Sequence, residues 1–183
     1  MKNTLTRLAL LVGVLSLVVT SSCKKKKVTV NMSANFTDID FDIPPCPAGT
    51  YIWANIVMPN DLDSVLNANG ATFDDVKSVS LQSASLVIRN ITPGAYTFDY
   101  LDQVGVHMLS ASSADVIVAE SNPVPHVGAV EAALTSKGVA LANYAKESGW
   151  AVFASGTTNQ PIADTLKMRL KLYFDVAAEV EQK

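Results

Sequence analysis

The sequence predicts a mostly β protein: an antiparallel two-layer β-sandwich of jelly-roll or Greek-key type, with two or three short helices. Three observations predict it. From Thr165 to Val180, apolar Leu166, Met168, Leu170, Leu172, Phe174, Val176, Ala178 and Val180 alternate with Lys167, Arg169, Lys171, Tyr173, Asp175 and Glu179. Strand side chains point to opposite faces in turn, so this run makes one buried and one wet face. The chain is 49 % apolar and 17 % charged, a globular balance that argues against disorder. Proline, glycine and asparagine breaks cut it into short segments without regular alternation of strand and long helix, which disfavours a parallel α/β fold.

The elements follow in order. Val28 to Ile43 alternates in two registers: Val28, Val30, Met32, Ala34 and Phe36 mark one, and Ile39, Phe41 and Ile43 the other. The slip near Thr37 predicts a bulge or bend between two strands. Pro44-Pro45-Cys46-Pro47 is a stiff loop, because proline offers no ladder donor. Tyr51 to Val57 is the next strand. Asn60 or Asp61 caps a helix to about Ala68, with Asn69-Gly70 as its stop. Thr72 with Asp75 predicts a capped short helix to Lys77. Further strands are expected at 79–89, 95–100, 103–110, 114–120 and 150–155, with Pro93-Gly94 as a turn. Residues 139–148, rich in alanine, read as a helix before Gly149.

At 183 residues the body suits one domain with a sizeable core. Six of the 14 basic residues are Lys2, Arg7 and the block Lys24–Lys27, which leaves eight from Val28 onward against all 17 acidic residues. A body near −9 is a poor nucleic-acid binder, because phosphate contacts need clustered Lys and Arg.

The N-terminus reads as an address. Met1 to Arg7 is basic, Leu8 to Val19 is apolar, and Thr20, Ser21 and Ser22 are polar and mostly small. This is the layout of a secretory signal peptide, and the apolar run is too short to span a bilayer. The segment Thr20-Ser21-Ser22-Cys23 resembles the lipobox of bacterial lipoproteins, with Thr20 where that family usually has leucine. The resemblance implies cleavage before Cys23 and its lipidation, and Lys24 after it implies the outer membrane of a Gram-negative cell. The expected organisation is residues 1–22 as signal peptide, 23–27 as lipidated Cys23 with a basic tether, and 28–183 as the β-sandwich. Two or more acyl chains hold a protein firmly, and each of Lys24–Lys27 would add up to ~1 kcal/mol on an anionic surface, with a solvated spacer as the other reading of that block.

Candidate chemistry is sparse. His107 alternates with Val106 and Met108, and His126 lies in a proline-flanked loop. Neither has a second histidine at zinc-binding spacing, so both read as surface residues. There is no GxSxG elbow, although a Ser-His-Asp set can assemble from distant positions. Cys46 reads as a free thiol or an interface contact, with a disulfide to Cys23 as the arithmetical alternative. Asp38, Asp40 and Asp42 would point the same way along a strand, about 6.5 to 7 Å apart. They are weak metal candidates, because calcium ligands curl around one point. A solvated edge is the plainer reading, with Lys167, Arg169 and Lys171 as cross-strand partners. Tyr51 and Trp53 share a face; if Ile52 and Ile56 are buried, the two rings form an exposed strip able to stack on a sugar. The plainer reading puts Trp53 in the core.

The expectation is a cell-envelope lipoprotein with a non-catalytic structural or partner-binding body and no cofactor. Its expected partners are the membrane, through its lipid, and an envelope protein or a glycan. The rivals are a glycan-binding module using Tyr51 and Trp53, and an envelope hydrolase using His107 or His126.

Overall fold

Alternation in the last segment produces its strand. In the computed structural model, which describes residues 26–59, 62–89, 96–147 and 149–181, β8 spans Leu166–Glu181. Leu166, Met168, Leu170, Leu172, Phe174, Val176 and Ala178 are all buried, as the period of two demands. The other strands are β1 (Lys27–Ile43), β2 (Gly49–Pro59), β3 (Val76–Ile88), β4 (Leu101–Ser110), β5 (Val116–Ser121), β6 (Glu131–Ser136) and β7 (Gly149–Thr158). They hydrogen-bond in the order β1-β8-β3-β6-β5-β4-β7-β2. The seam between β6 and β5 is only two residue pairs, Ala119↔Ser136 and Glu120↔Thr135. There the array divides into two four-stranded sheets, β1-β8-β3-β6 and β5-β4-β7-β2. The chain changes sheet at every step except the β4–β5 hairpin, which is the jelly-roll connectivity, two Greek keys closed over one core.

The sheets are stapled by aromatics. Phe36 on β1 and Phe174 on β8 meet Trp150 on β7 edge to face, with centroids 5.4 and 5.9 Å from the indole. Around them Val79, Met108, Leu141 and Val176 leave an apolar gap of about 20 Å³, too small to be a binding site. The chain divides into two units: Thr29–Val180 is the sandwich, and the other, Met1–Val28 with Glu181–Lys183, lies almost wholly outside the described residues.

Several expectations are corrected. Val28 to Ile43 is one strand, not two, but its buried side switches from Met32 and Ala34 to Ile39, Phe41 and Ile43. The predicted slip is therefore real, and the ladder continues through it. Helix α1 (Leu62–Ala68) ends as expected at Gly70, whose φ of 69° is open to glycine at no steric cost. Asn60, Asp61 and Pro93-Gly94 lie outside the described residues. Thr72 and Asp75 do form a cap, with Thr72 N–H donating to Asp75 Oδ2 at 2.9 Å. That turn is 3₁₀ and stops at Asp75, because Val76 already belongs to β3. In the expected strand at 95–100, Phe98–Tyr100 is a 3₁₀ turn, started by the Thr97 hydroxyl accepting from Asp99 N–H. The expected helix at 139–148 shrinks to one turn, α2 (Ala142–Ala145). Strand β6 was not anticipated, since Glu131-Ala-Ala-Leu-Thr-Ser carries only a faint alternation.

Candidate functional site

The expected site residues fall in separate places. Cys23 lies outside the described residues. So does the side chain of Asp38, while Asp42 faces outward on β1. Asp40 is engaged by cations: Arg169 Nε and Nη2 donate to its two oxygens at 2.7 and 2.8 Å, and Arg89 Nη1 joins them. The hydrogen bond from Arg169 is the largest effect on the Asp40 carboxyl. With the hydrogen bond from Arg89 and the charge of both guanidiniums, it holds the carboxyl well below the usual carboxylate range, against an opposing desolvation that ranks second. The predicted pairing of the acidic and basic stripes is present at this position. Lys171 turns instead to Glu131 Oε1 at 3.1 Å, which also accepts from Ser85 Oγ at 3.0 Å. Among the described residues no three His, Cys, Asp or Glu side chains converge as metal ligands.

Tyr51 and Trp53 are half-buried, and it is Ile52 that is exposed, at 72 %. Their face is thus turned from the one the sugar-stacking strip assumed. A bulge between Ile52 and Ala54 sets Trp53 against Gly156: a Cβ there would fall 2.4 Å from Cη2. Tyr51 OH donates to Pro47 O at 3.0 Å. Trp53 Nε1 is buried with no hydrogen-bond partner among the described residues. Cys46 is half-buried and has no disulfide partner among the described residues; its backbone bridges to Ile162, and burial pushes its thiol pKa up. A raised thiol is a poor nucleophile.

The outer face of β5-β4-β7-β2 holds what the sequence did not reveal. β4 pairs with β7 so that Gly105 opposes Ser155 and His107 opposes Phe153. The His107 ring stacks on Phe153 at 4.4 Å between centroids. Its Nδ1 lies 3.0 Å from Asp115 Oδ1, and its Nε2 lies 2.8 Å from Ser155 Oγ. A carboxylate only accepts, so Nδ1 carries the proton and the bare Nε2 accepts from the serine hydroxyl. His107 is 13 % exposed, far from the free surface histidine expected.

Beside this row lies a hollow of about 210 Å³, lined by Gln103, Gly105, Ile117, Glu120, Asn122 and Ser155 among others. Gln103 and Asn122 also border a second, open depression that reaches His126 and Asp102. There His126 Nε2 is 3.7 Å from Asp102 Oδ1, and Asn159 Nδ2 donates to the same oxygen at 3.0 Å. His126 is 47 % exposed, so this end is a wet surface. Two clues lay in the sequence: an outward His107 flanked by Gly105, and an outward Ser155. Only the strand pairing joins them.

The fold and this face define a jelly-roll β-sandwich with a serine and a histidine on one sheet, hydrogen-bonded in a row with an aspartate from the loop before β5. No family model matches the chain, and no curated protein is significantly similar. Among solved structures, the decameric BFDV capsid protein is 16 % identical, over 82 % of this chain and 99 % of that one, at a TM-score of 0.32. The 60-mer of the BFDV capsid protein is 16 % identical, over 87 % and 96 %, at 0.35. Turnip yellow mosaic virus is 14 % identical, over 86 % and 98 %, at 0.28. At such scores these likenesses say nothing about activity, and the strand order carries the fold.

Proposed function

We propose that this protein is a cell-envelope lipoprotein, anchored through a lipidated Cys23 at the outer membrane, with a structural or partner-binding sandwich body. One observation carries the reading: Cys23 follows a basic, apolar and small-residue leader and is separated from β1 only by Lys24, Lys25 and Lys26. Three residues span about 10 Å at full extension, so such an anchor would keep the body close to the headgroups. The basic block would then meet an anionic surface while the acidic body faces the aqueous side.

Fatty-acid labelling of cells followed by membrane fractionation tests this. Wild-type protein should carry label and sediment with membranes. Cys23→Ala should carry none and move to the soluble fraction. A mature protein without fatty acid, or Cys23→Ala protein still labelled and membrane-bound, would overturn the reading.

A further inference from the structure

We propose that Ser155 is a nucleophile activated by His107 and Asp115, and that its site accepts neutral esters of short acyl groups. A serine bonded to a histidine could merely tie two strands together. Four features go further than that.

The nitrogens are assigned as acyl transfer requires, with the carboxylate on Nδ1 and the hydroxyl on Nε2. Stacking on Phe153 fixes the ring plane. Gly105 keeps the approach open, since a Cβ there would sit 3.3 Å from Ser155 Oγ and 3.5 Å from His107 Nε2. Finally, the polar pair lies between exposed isoleucines: Ile52 opposes Ser155 on β2 and is 72 % exposed, and Ile117 opposes His107 on β5 and is 38 % exposed.

The same surroundings indicate the substrate. The hollow of about 210 Å³ is smaller than the roughly 300–1,000 Å³ of pockets for drug-sized ligands, so it suits a small acyl ester better than a long chain. Asp115, Glu120 and the acidic body disfavour a carboxylate-bearing ester. Gln103 and Asn122 line the hollow, and their side-chain amides are groups of the kind that stabilise a developing oxyanion. In the reaction Ser155 Oγ attacks the ester carbonyl carbon while its proton passes to His107 Nε2. The bond to the alcohol oxygen breaks, and His107 returns the proton to that oxygen. Water then attacks the acyl-serine, gives its proton to His107, and releases the acid as Ser155 is restored.

A fluorophosphonate reagent, followed by intact mass and peptide mapping on detergent-solubilised full-length protein, tests the proposal. Wild type should gain one phosphonyl group on Ser155, with fluoride leaving, and Ser155→Ala should gain none. Asp115→Asn keeps the side-chain shape and should label at least about tenfold more slowly, since a positioned base contributes 10²–10⁴-fold. Gly105→Ala should also slow labelling, by crowding the approach. In parallel, p-nitrophenyl acetate should be cleaved faster than the half-ester p-nitrophenyl succinate. Circular dichroism establishes that each variant is folded, and Asp115→Asn decides the matter if Ser155→Ala is not. An unlabelled wild type, label elsewhere than Ser155, or Asp115→Asn reacting at the wild-type rate would overturn the proposal. The readout is independent of the lipid on Cys23, so failure here and failure of the anchor are separate results.

Discussion

The two sheets wear different outer faces. On β1-β8-β3-β6 the exposed side is tiled with charge: Asp40 with Arg169 and Arg89, Lys171 with Glu131, and Lys77 with Glu179. On β5-β4-β7-β2 it carries Ser155, His107, Phe153 and Gly105 between exposed isoleucines. The inner faces are alike, both apolar and both buried. Exposed charge pairs contribute little net stability but disfavour misregister and aggregation, whereas small polar and aromatic groups leave room for a ligand. One wall is a solvated, charge-tiled face, and the other leaves space beside polar and aromatic side chains.

The comparison breaks down first if the walls part. Trp150→Ala removes the ring that meets both Phe36 and Phe174 across the interior. It should cost about 3–5 kcal/mol, because the gap beside it cannot collapse fully. Urea unfolding should show a sharply lower midpoint, with both faces failing in one transition. A loss below ~1 kcal/mol would mean the sheets are held elsewhere.

A change confined to the second wall comes next. Gly156 pairs with inward-facing Val104, and an added Cβ would meet Trp53 Cη2 at 2.4 Å and the Gln103 carbonyl at 2.5 Å. The carbonyl belongs to the neighbouring strand and cannot swing away. Gly156→Ala should therefore destabilise by about 1–3 kcal/mol as overpacking and shift the Trp53 fluorescence. Gly70→Ala makes a useful contrast, since nothing lies within 4 Å and only its φ of 69° opposes the change. Its cost should be about 1 kcal/mol.

These two walls were unequally legible in the sequence. The charged wall could be read because its partners sit at matching alternation: Asp40 opposite Arg169 follows from two stripes of opposite sign. β8 and the register slip in β1 were readable for the same reason, as long runs carry their own period. The serine and histidine row was not, because Ser155 and His107 are 48 positions apart and only the β4–β7 register unites them. Helix α2 is shorter than its alanine content predicts, because alanine favours helix wherever it stands while tertiary contacts let only one turn form. Trp53 packs against the core, in line with the plainer reading, whereas the bulge at Ile52/Ala54 is a local irregularity that no period of two reveals.

The smallest expected effect probes the charged wall alone. Asp40 has its carboxyl pKa lowered by Arg169 and Arg89, so its contribution is fully present above the unfolded carboxyl value of about 4. The contribution is lost as pH falls from there through the lowered folded value, because the protonated carboxyl no longer accepts from either guanidinium. Its side chain is 48 % exposed, so solvent and salt screen most of the interaction. Asp40→Asn should lower stability by less than ~1 kcal/mol at neutral pH. The difference from wild type should shrink in molar salt and vanish in acid. Urea midpoints at neutral and acid pH, with and without salt, measure this. Fluorophosphonate labelling of Ser155 should not change in the same variant, since Asp40 lies on the other sheet. A larger loss that persists in salt would mean the arginine pair fixes the register of β1 on β8, and the tiled wall would then be a structural determinant rather than a solvated face.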